Sequence, residues 1–157
     1  MIRKALVTDV PGIKRLIEPF VKEGLMLPRS LHALYTSIRD FWVWQEDGVI
    51  LGCCALQISW EDMAEIRTLA IERDRQGRGH GLELLNTCKQ EALDLGLGNL
   101  FTLTYVPGFF KRAGFTVVDK ATLPNKIWAD CIHCPHFPEC DETALIFKLK
   151  DDDHAAP

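Results

Sequence analysis

Near the middle of the chain, the eight residues DRQGRGHG at 74–81 hold three glycines and two arginines. The run before them, 63–72, reads as a strand, and the run after them, 81–96, reads as an amphipathic helix closed by Gly96. A strand that enters a helix through a string of glycines leaves bare amides at the helix N-terminus. Gly77, Gly79 and Gly81 let the backbone come close to a ligand, and Arg75 and Arg78 add positive charge. That combination suits a phosphate-rich ligand, a diphosphate above all. A Walker loop is excluded, because no Gly-Lys-Ser/Thr follows. A dinucleotide fingerprint is excluded too. Its G-x-G-x-x-G order stands early in a βαβ unit, whereas here Q-x-x-G-x-G stands in mid-chain.

The rest of the chain alternates in the same way. Strands are expected at 2–7, at 41–60 as a hairpin turning on Glu46-Asp47-Gly48, at 97–106, at 115–120 and at 142–150. Helices are expected over 8–24, with Thr8 or Asp9 as cap, Pro19 bending or shortening it and Gly24 stopping it, over 30–38 capped by Ser30, and over 107–114. The order β-α-α-β-β-β-α-β-α-β-β makes an α/β (α+β) chain. It implies a mixed, mostly antiparallel sheet of about seven strands with about four helices. One domain over 1–150 and a polar tail over 151–157 are expected. A net charge of -4 argues against broad attraction to nucleic acid or membrane surfaces, so an anion site must be local. The N-terminus lacks the apolar core of a signal peptide, which points to the cytoplasm and to reduced thiols.

The loop RDRQGRGHG resembles the acyl-CoA signature Q/R-x-x-G-x-G/A of the GNAT N-acetyltransferases, with Gln76, Gly79 and Gly81 at its defined positions. The element order resembles that fold along nearly the whole chain. The run FFKRAGF at 109–115 resembles a later helix of the family, with Phe110 where many members carry tyrosine. The resemblance implies acetyl-CoA as cosubstrate. Its pyrophosphate would lie on Gln76, Gly77, Arg78, Gly79, His80 and Gly81. Its pantetheine arm would pair with the backbone of Leu69, Ala70 and Ile71, where the fourth strand splays from the fifth.

The segments 23–57, 64–71 and 121–126 are similar to the acetyltransferase domain of bacterial N-acetylglutamate synthases. This would be a short, stand-alone form without the kinase-like domain of the long synthases. The resemblance implies transfer of acetyl to the α-amine of glutamate, a step of arginine biosynthesis. It points to Arg29, Ser30 and Lys126 for substrate carboxylates and to Glu65 and Thr68 for catalysis. The chemistry fits these residue types. Carboxylates call for guanidinium or ammonium donors, and an α-ammonium must lose a proton before it attacks a thioester. Arg29 also reads as a solvated arginine after a helix, and Glu65 as half of an edge-strand salt bridge. On a regular strand Thr68, three residues on, faces away from Glu65, so a bulge is needed for both to line one site. Tyr105 is a weak candidate acid for the leaving thiolate, and Phe110 has no proton to give.

The segment 127–145 departs from the long synthases, which leaves the acceptor open. Its Cys131, Cys134 and Cys140, with His133 and His136, read as packed thiols, as a zinc site or as a redox pair. Cys53, Cys54 and Cys88 fall on core-like positions. Two rival readings stay open beside glutamate. One is a transferase acting on glutamine, another amino acid or a protein N-terminus. The other is a non-catalytic acetyl-CoA sensor. A homodimer is expected from the family.

Overall fold

The computed structural model describes residues 1–123 and 142–150. Its elements are β1 (Ile2–Lys4), α1 (Val10–Lys22), α2 (Leu31–Thr36), β2 (Phe41–Glu46), β3 (Val49–Trp60), β4 (Met63–Ile71), α3 (His80–Asp94), β5 (Asn99–Thr104), α4 (Pro107–Arg112), β6 (Thr116–Val118) and β7 (Thr143–Lys148). The order is the one the sequence implies. The seven strands form one sheet in the order β1-β2-β3-β4-β5-β7-β6. Every neighbouring pair is antiparallel except β4 and β5.

Local chemistry explains most element ends. The β2–β3 turn holds Asp47 at φ 51° and Gly48 at φ 77°, the twist a two-residue hairpin needs. Past α1, the Leu25 amide reaches back to the Phe20 carbonyl at 2.9 Å around Gly24, which ends the helix. Two details differ from expectation. Pro19 does not shorten α1, which runs on to Lys22. Arg15 and Pro19 lie on the exposed face, so water can serve the carbonyl that Pro19 leaves unbonded, while Ile13, Leu16 and Ile17 anchor the other face. Asp9 stands at the cap position, but its carboxylate takes the Leu6 amide and both ends of the Arg3 guanidinium instead.

The sheet is buried on both sides. Leu84, Leu85, Cys88 and Ala92 of α3 pack on one face against Cys54, Leu56, Ala64 and Ile66. Ile13, Leu16 and Ile17 of α1 and Leu34 of α2 pack on the other, against Phe41, Val43, Cys53 and Ala55. Cys53, Cys54 and Cys88 are core residues, as their positions suggest. Burying each large aliphatic side chain contributes about 1.5–3 kcal/mol, so the two layers clamp β3 and β4 as the rigid centre.

Two irregularities of β4 create the site. First, β4 pairs with β5 only from Met63↔Asn99 to Glu65↔Phe101, yet β4 continues to Ile71. Beyond Glu65 the two strands part, and the Thr102 hydroxyl reaches across to the Ile66 carbonyl at 3.0 Å. Second, the β3–β4 register slips between Cys53↔Ala70 and Ala55↔Arg67. The slip is centred on Thr68, whose φ is 52°, a rare value for a β-branched residue. Ala64 and Ile66 pack toward α3, and after the slip so does Ile71, while Ala70 faces α1. One extra residue has reversed the alternation. This is the bulge that Glu65 and Thr68 need to share a face.

Candidate active site

The glycine loop is shaped by its backbone. Gly77 has φ 80° and Gly79, which caps α3, has φ 90°. A Cβ on either would point into open space, so it is the dihedral, and not crowding, that calls for glycine. The first amides of α3, at His80, Gly81 and Leu82, have no partner inside the helix by construction. Among the described residues, no backbone carbonyl outside the helices and strands takes the amides of Gly77, Arg78 or Gly79 either. The loop is braced from three directions. Gln76 Nε2 donates to the Ile71 carbonyl at 3.0 Å. Arg75 donates to Glu46 Oε2 at 2.9 Å. His80 stacks on Trp44, with ring centroids 3.7 Å apart and planes 17° apart. A diphosphate fits this cradle, with open amides at a helix N-terminus and no side chain in the way. Arg78 is exposed beside it.

From the loop a cleft of about 690 Å³ runs along the gap between β4 and β5. Leu69, Ala70 and Ile71 form one wall, and Thr104, Val106 and Phe109 the other. Since β5 has parted from β4, the edge of β4 at Leu69–Ile71 has no strand partner and presents backbone groups to the cleft. Gly81 sits under Phe109, and a Cβ there would lie 3.4 Å from its ring. Phe110 lines the cleft and packs edge-on against Phe109 and Phe115 in the core. Tyr105 is not among the lining residues.

At the far end, two segments converge. Arg29 comes from the α1–α2 loop, and Glu65 and Thr68 from β4. Arg29 donates to Thr68 Oγ1 at 3.1 Å and to Ser37 Oγ at 2.9 Å, and its guanidinium lies 5.4 Å from the Phe41 ring centroid. No carboxylate among the described residues forms an ion pair with Arg29. Burial, and then the neighbouring charge of Arg67, make its proton easier to lose than usual. Glu65, with a side chain only 15% exposed, lies on central strand β4 with its carboxylate 3.9 Å from Arg67 Nε. The bulge carbonyl of Thr68 is held by the Cys53 thiol at 3.2 Å, and complete burial pushes that thiol's pKa up to about 12.

Not every residue singled out in the sequence arrives here. Ser30 is exposed, lies outside the cleft wall and accepts the Ala33 amide at 3.0 Å as the cap of α2. Lys126 and the Cys131, Cys134 and Cys140 segment lie outside the described residues. Within the described residues, no group of three or more His, Cys, Asp or Glu could hold a metal ion, and no helix is long and apolar enough to cross a membrane. Arg67, Ser37 and Gln57 went unnoticed in the sequence. Arg67 left a trace there, since two places after Glu65 on a strand it must share that residue's face. Ser37 and Gln57 left none, because only the tertiary fold brings them in.

Residues 14–115 match the model of the acetyltransferase (GNAT) family. The chain belongs to that family and is an acetyl-CoA-dependent N-acetyltransferase. It is 37% identical over 148 residues to an uncharacterised N-acetyltransferase of Chlorobaculum tepidum, covering 94% of this chain and 96% of that one. It is 36% identical over 131 residues to the amino-acid acetyltransferase of Mycobacterium tuberculosis, covering 82% of this chain and 75% of that one. Among solved structures, it is similar to the N-acetylglutamate synthase of Neisseria gonorrhoeae complexed with coenzyme A and N-acetyl-glutamate. The TM-score is 0.85 and the identity 29%, and the match covers 96% of this chain but only 35% of that one.

Proposed function

We propose that the protein transfers the acetyl group of acetyl-CoA to the α-amino group of L-glutamate by direct attack, the reaction of an N-acetylglutamate synthase in arginine biosynthesis. The observation that carries this reading is Arg29, a half-buried guanidinium whose hydrogen-bond partners are neutral hydroxyls, set on the same face as Glu65. A cation in that setting attracts a carboxylate. Acetyl-CoA brings the activated thioester. Glu65 takes the proton from the acceptor ammonium, directly or through a water. Thr68 holds Arg29 in place, and an amide of the splayed part of β4 faces the charge that develops on the acyl oxygen. The thiolate leaves without a protein acid, as thiols are fairly acidic. Lys126 is proposed as a second contact to the acceptor. Similarity to the amino-acid acetyltransferase and to the synthase complex supports an amino-acid acceptor.

Arg29 alone would hold the α-carboxylate of any amino acid, and this favours glutamine or another amino acid as the second reading. A panel of free amino acids and short peptides with acetyl-CoA, read by thiol release, tests both. Glutamate is expected to give the highest kcat/KM. Turnover with peptides and with no free amino acid sinks the reading. Tight acetyl-CoA binding without any turnover would make the protein a sensor. We further propose a cytoplasmic homodimer with its transferase domain over 1–150. A monomer in light scattering would refute the dimer.

A further inference from the structure

Arg67 projects into the acceptor end of the cleft, and no role in the reaction has been given to it. It lies two residues after Glu65 on β4, lines the cleft and has a side chain 32% exposed. Its Nη1 donates to Gln57 Oε1, and Gln57 faces Glu65 across the β3–β4 pair. Its Nε stands 3.9 Å from Glu65 Oε1, long for a hydrogen bond. Thus Gln57 aims the guanidinium while much of its donor fork stays uncommitted among the described residues. Among the described residues, Arg29, the other guanidinium at this end, is bonded only to hydroxyls. The two arginines repel each other; Asp40 and, more weakly, Glu65 offset the charge of Arg29, but Glu65 is the one described carboxylate that forms an ion pair with either arginine. Glu142 also lines the cleft, but it has interactions of its own and forms no ion pair with Arg29 or Arg67. Two like charges confined to one partly buried cleft are stabilised by two negative charges on what binds between them.

We infer that Arg67 is a specificity-determining residue that binds the side-chain carboxylate of the acceptor, while Arg29 binds the α-carboxylate. The division follows from how each is held. Arg29 is fixed from two sides and stacked on Phe41, which suits the group that every amino acid presents in one geometry. Arg67 is held from one side and is more open, which suits the variable group. The site is then built for a dicarboxylic amino acid, and an arginine fork with a free edge is the donor that reads a planar carboxylate. This inference rests on the proposed amino-acid acceptor.

The test compares glutamate with glutamine, which lacks only the side-chain charge, for wild type, Arg67→Met and Arg67→Lys. Calorimetric acetyl-CoA binding checks that each variant is folded. Wild type is expected to prefer glutamate. Arg67→Met should cut that preference about tenfold or more through the glutamate KM, with the glutamine KM nearly unchanged, and Arg67→Lys should recover part of it. An equal loss for both acceptors overturns the inference. So does a shift in the acid limb of the pH profile that is the same for both, since Arg67 would then act only on Glu65. Glutarate binding in the presence of coenzyme A separates this inference from the proposed function. If wild type acetylates neither amino acid yet binds glutarate in an Arg67-dependent way, the acceptor reading fails and the dicarboxylate site stands. If glutarate does not bind, the dicarboxylate site falls.

Discussion

The two ends of the cleft are built by opposite means. The end proposed for the cofactor is drawn from one stretch between Gln76 and Leu82, and the donors it offers are backbone amides shaped by Gly77 and Gly79. Of its nearby cations, Arg73 and Arg75 are paired with Glu23 and Glu46, while Arg78 stands exposed beside it. The end proposed for the acceptor draws on the α1–α2 loop, β3 and β4, and the donors it offers are side chains. There Arg29 and Arg67 stand close enough to repel each other. Every acyl-CoA carries the same diphosphate, so a fixed backbone cradle serves that end. Acceptors differ in charge and size, and side chains on a rigid sheet can be exchanged without disturbing the cradle. Changes at the two ends should therefore separate cleanly into acceptor and acetyl-CoA effects.

The largest effect is expected at the acceptor end, from Glu65→Gln. A free amino acid is mostly protonated at pH 7, and a base beside its amine is worth about 10²–10⁴-fold in rate. The kcat/KM should fall by that factor at pH 7, with acetyl-CoA affinity unchanged, and the loss should shrink as rising pH supplies free amine. Matching pH profiles for variant and wild type would make Glu65 a structural residue. Next comes Arg29→Ala. Losing a charge-assisted pair whose partner stays buried costs roughly 2–5 kcal/mol, so the acceptor KM should rise about 30-fold or more. A comparable rise in the acetyl-CoA KM would erase the division between the ends.

The same contrast governs what could be read before folding. The cofactor end was legible because helix start, glycine spacing and charge all lie within eight residues, 74–81. The element order was legible from periodicity and turn residues such as Asp47-Gly48. At the acceptor end, Arg29, Glu65 and Thr68 came from the family resemblance, and the strand period added only the need for a bulge. Its position at Thr68, the Cys53 thiol that braces it and the Ser37 hydroxyl that holds Arg29 come from packing between distant segments. Ser30 carries two sequence signals at once. Its cap signal and its place in a family motif coincide, and the structure places its hydroxyl on the helix amide. Pro19 shows that one missing amide near a helix end is outweighed by the buried side chains Val10, Ile13, Leu16 and Ile17.

A smaller effect is expected at the cofactor end. Gly79→Ala introduces a Cβ at φ 90° in otherwise open space. The cost is strain alone, about 1–2 kcal/mol, which the loop relieves by turning its amides away from the diphosphate. Acetyl-CoA affinity, measured by calorimetry, should weaken up to about tenfold, with the acceptor KM unchanged. Unaltered affinity would place the phosphates elsewhere.

The smallest effect tests the joint between the two ends. Thr68 holds Arg29 through its hydroxyl, yet its φ of 52° is costly for a β-branched residue. Thr68→Gly removes both the strain and the hydroxyl. Relief of roughly 1–2 kcal/mol is offset by about 0.5–1 kcal/mol of extra freedom in the unfolded chain. Stability should thus stay within about 1 kcal/mol of wild type. Arg29 keeps Ser37 but loses one of its two anchors, so the acceptor KM should rise several-fold, by about 1 kcal/mol for one hydrogen bond. Thr68→Ser keeps the hydroxyl and drops the methyl, so it should restore the acceptor KM. Both variants should leave the acetyl-CoA KM alone, because the Cys53 thiol still holds the carbonyl at position 68 and so the bulge. If Thr68→Gly instead weakens acetyl-CoA as much as the acceptor, the bulge belongs to both ends, and the two halves of the cleft cannot be tuned apart.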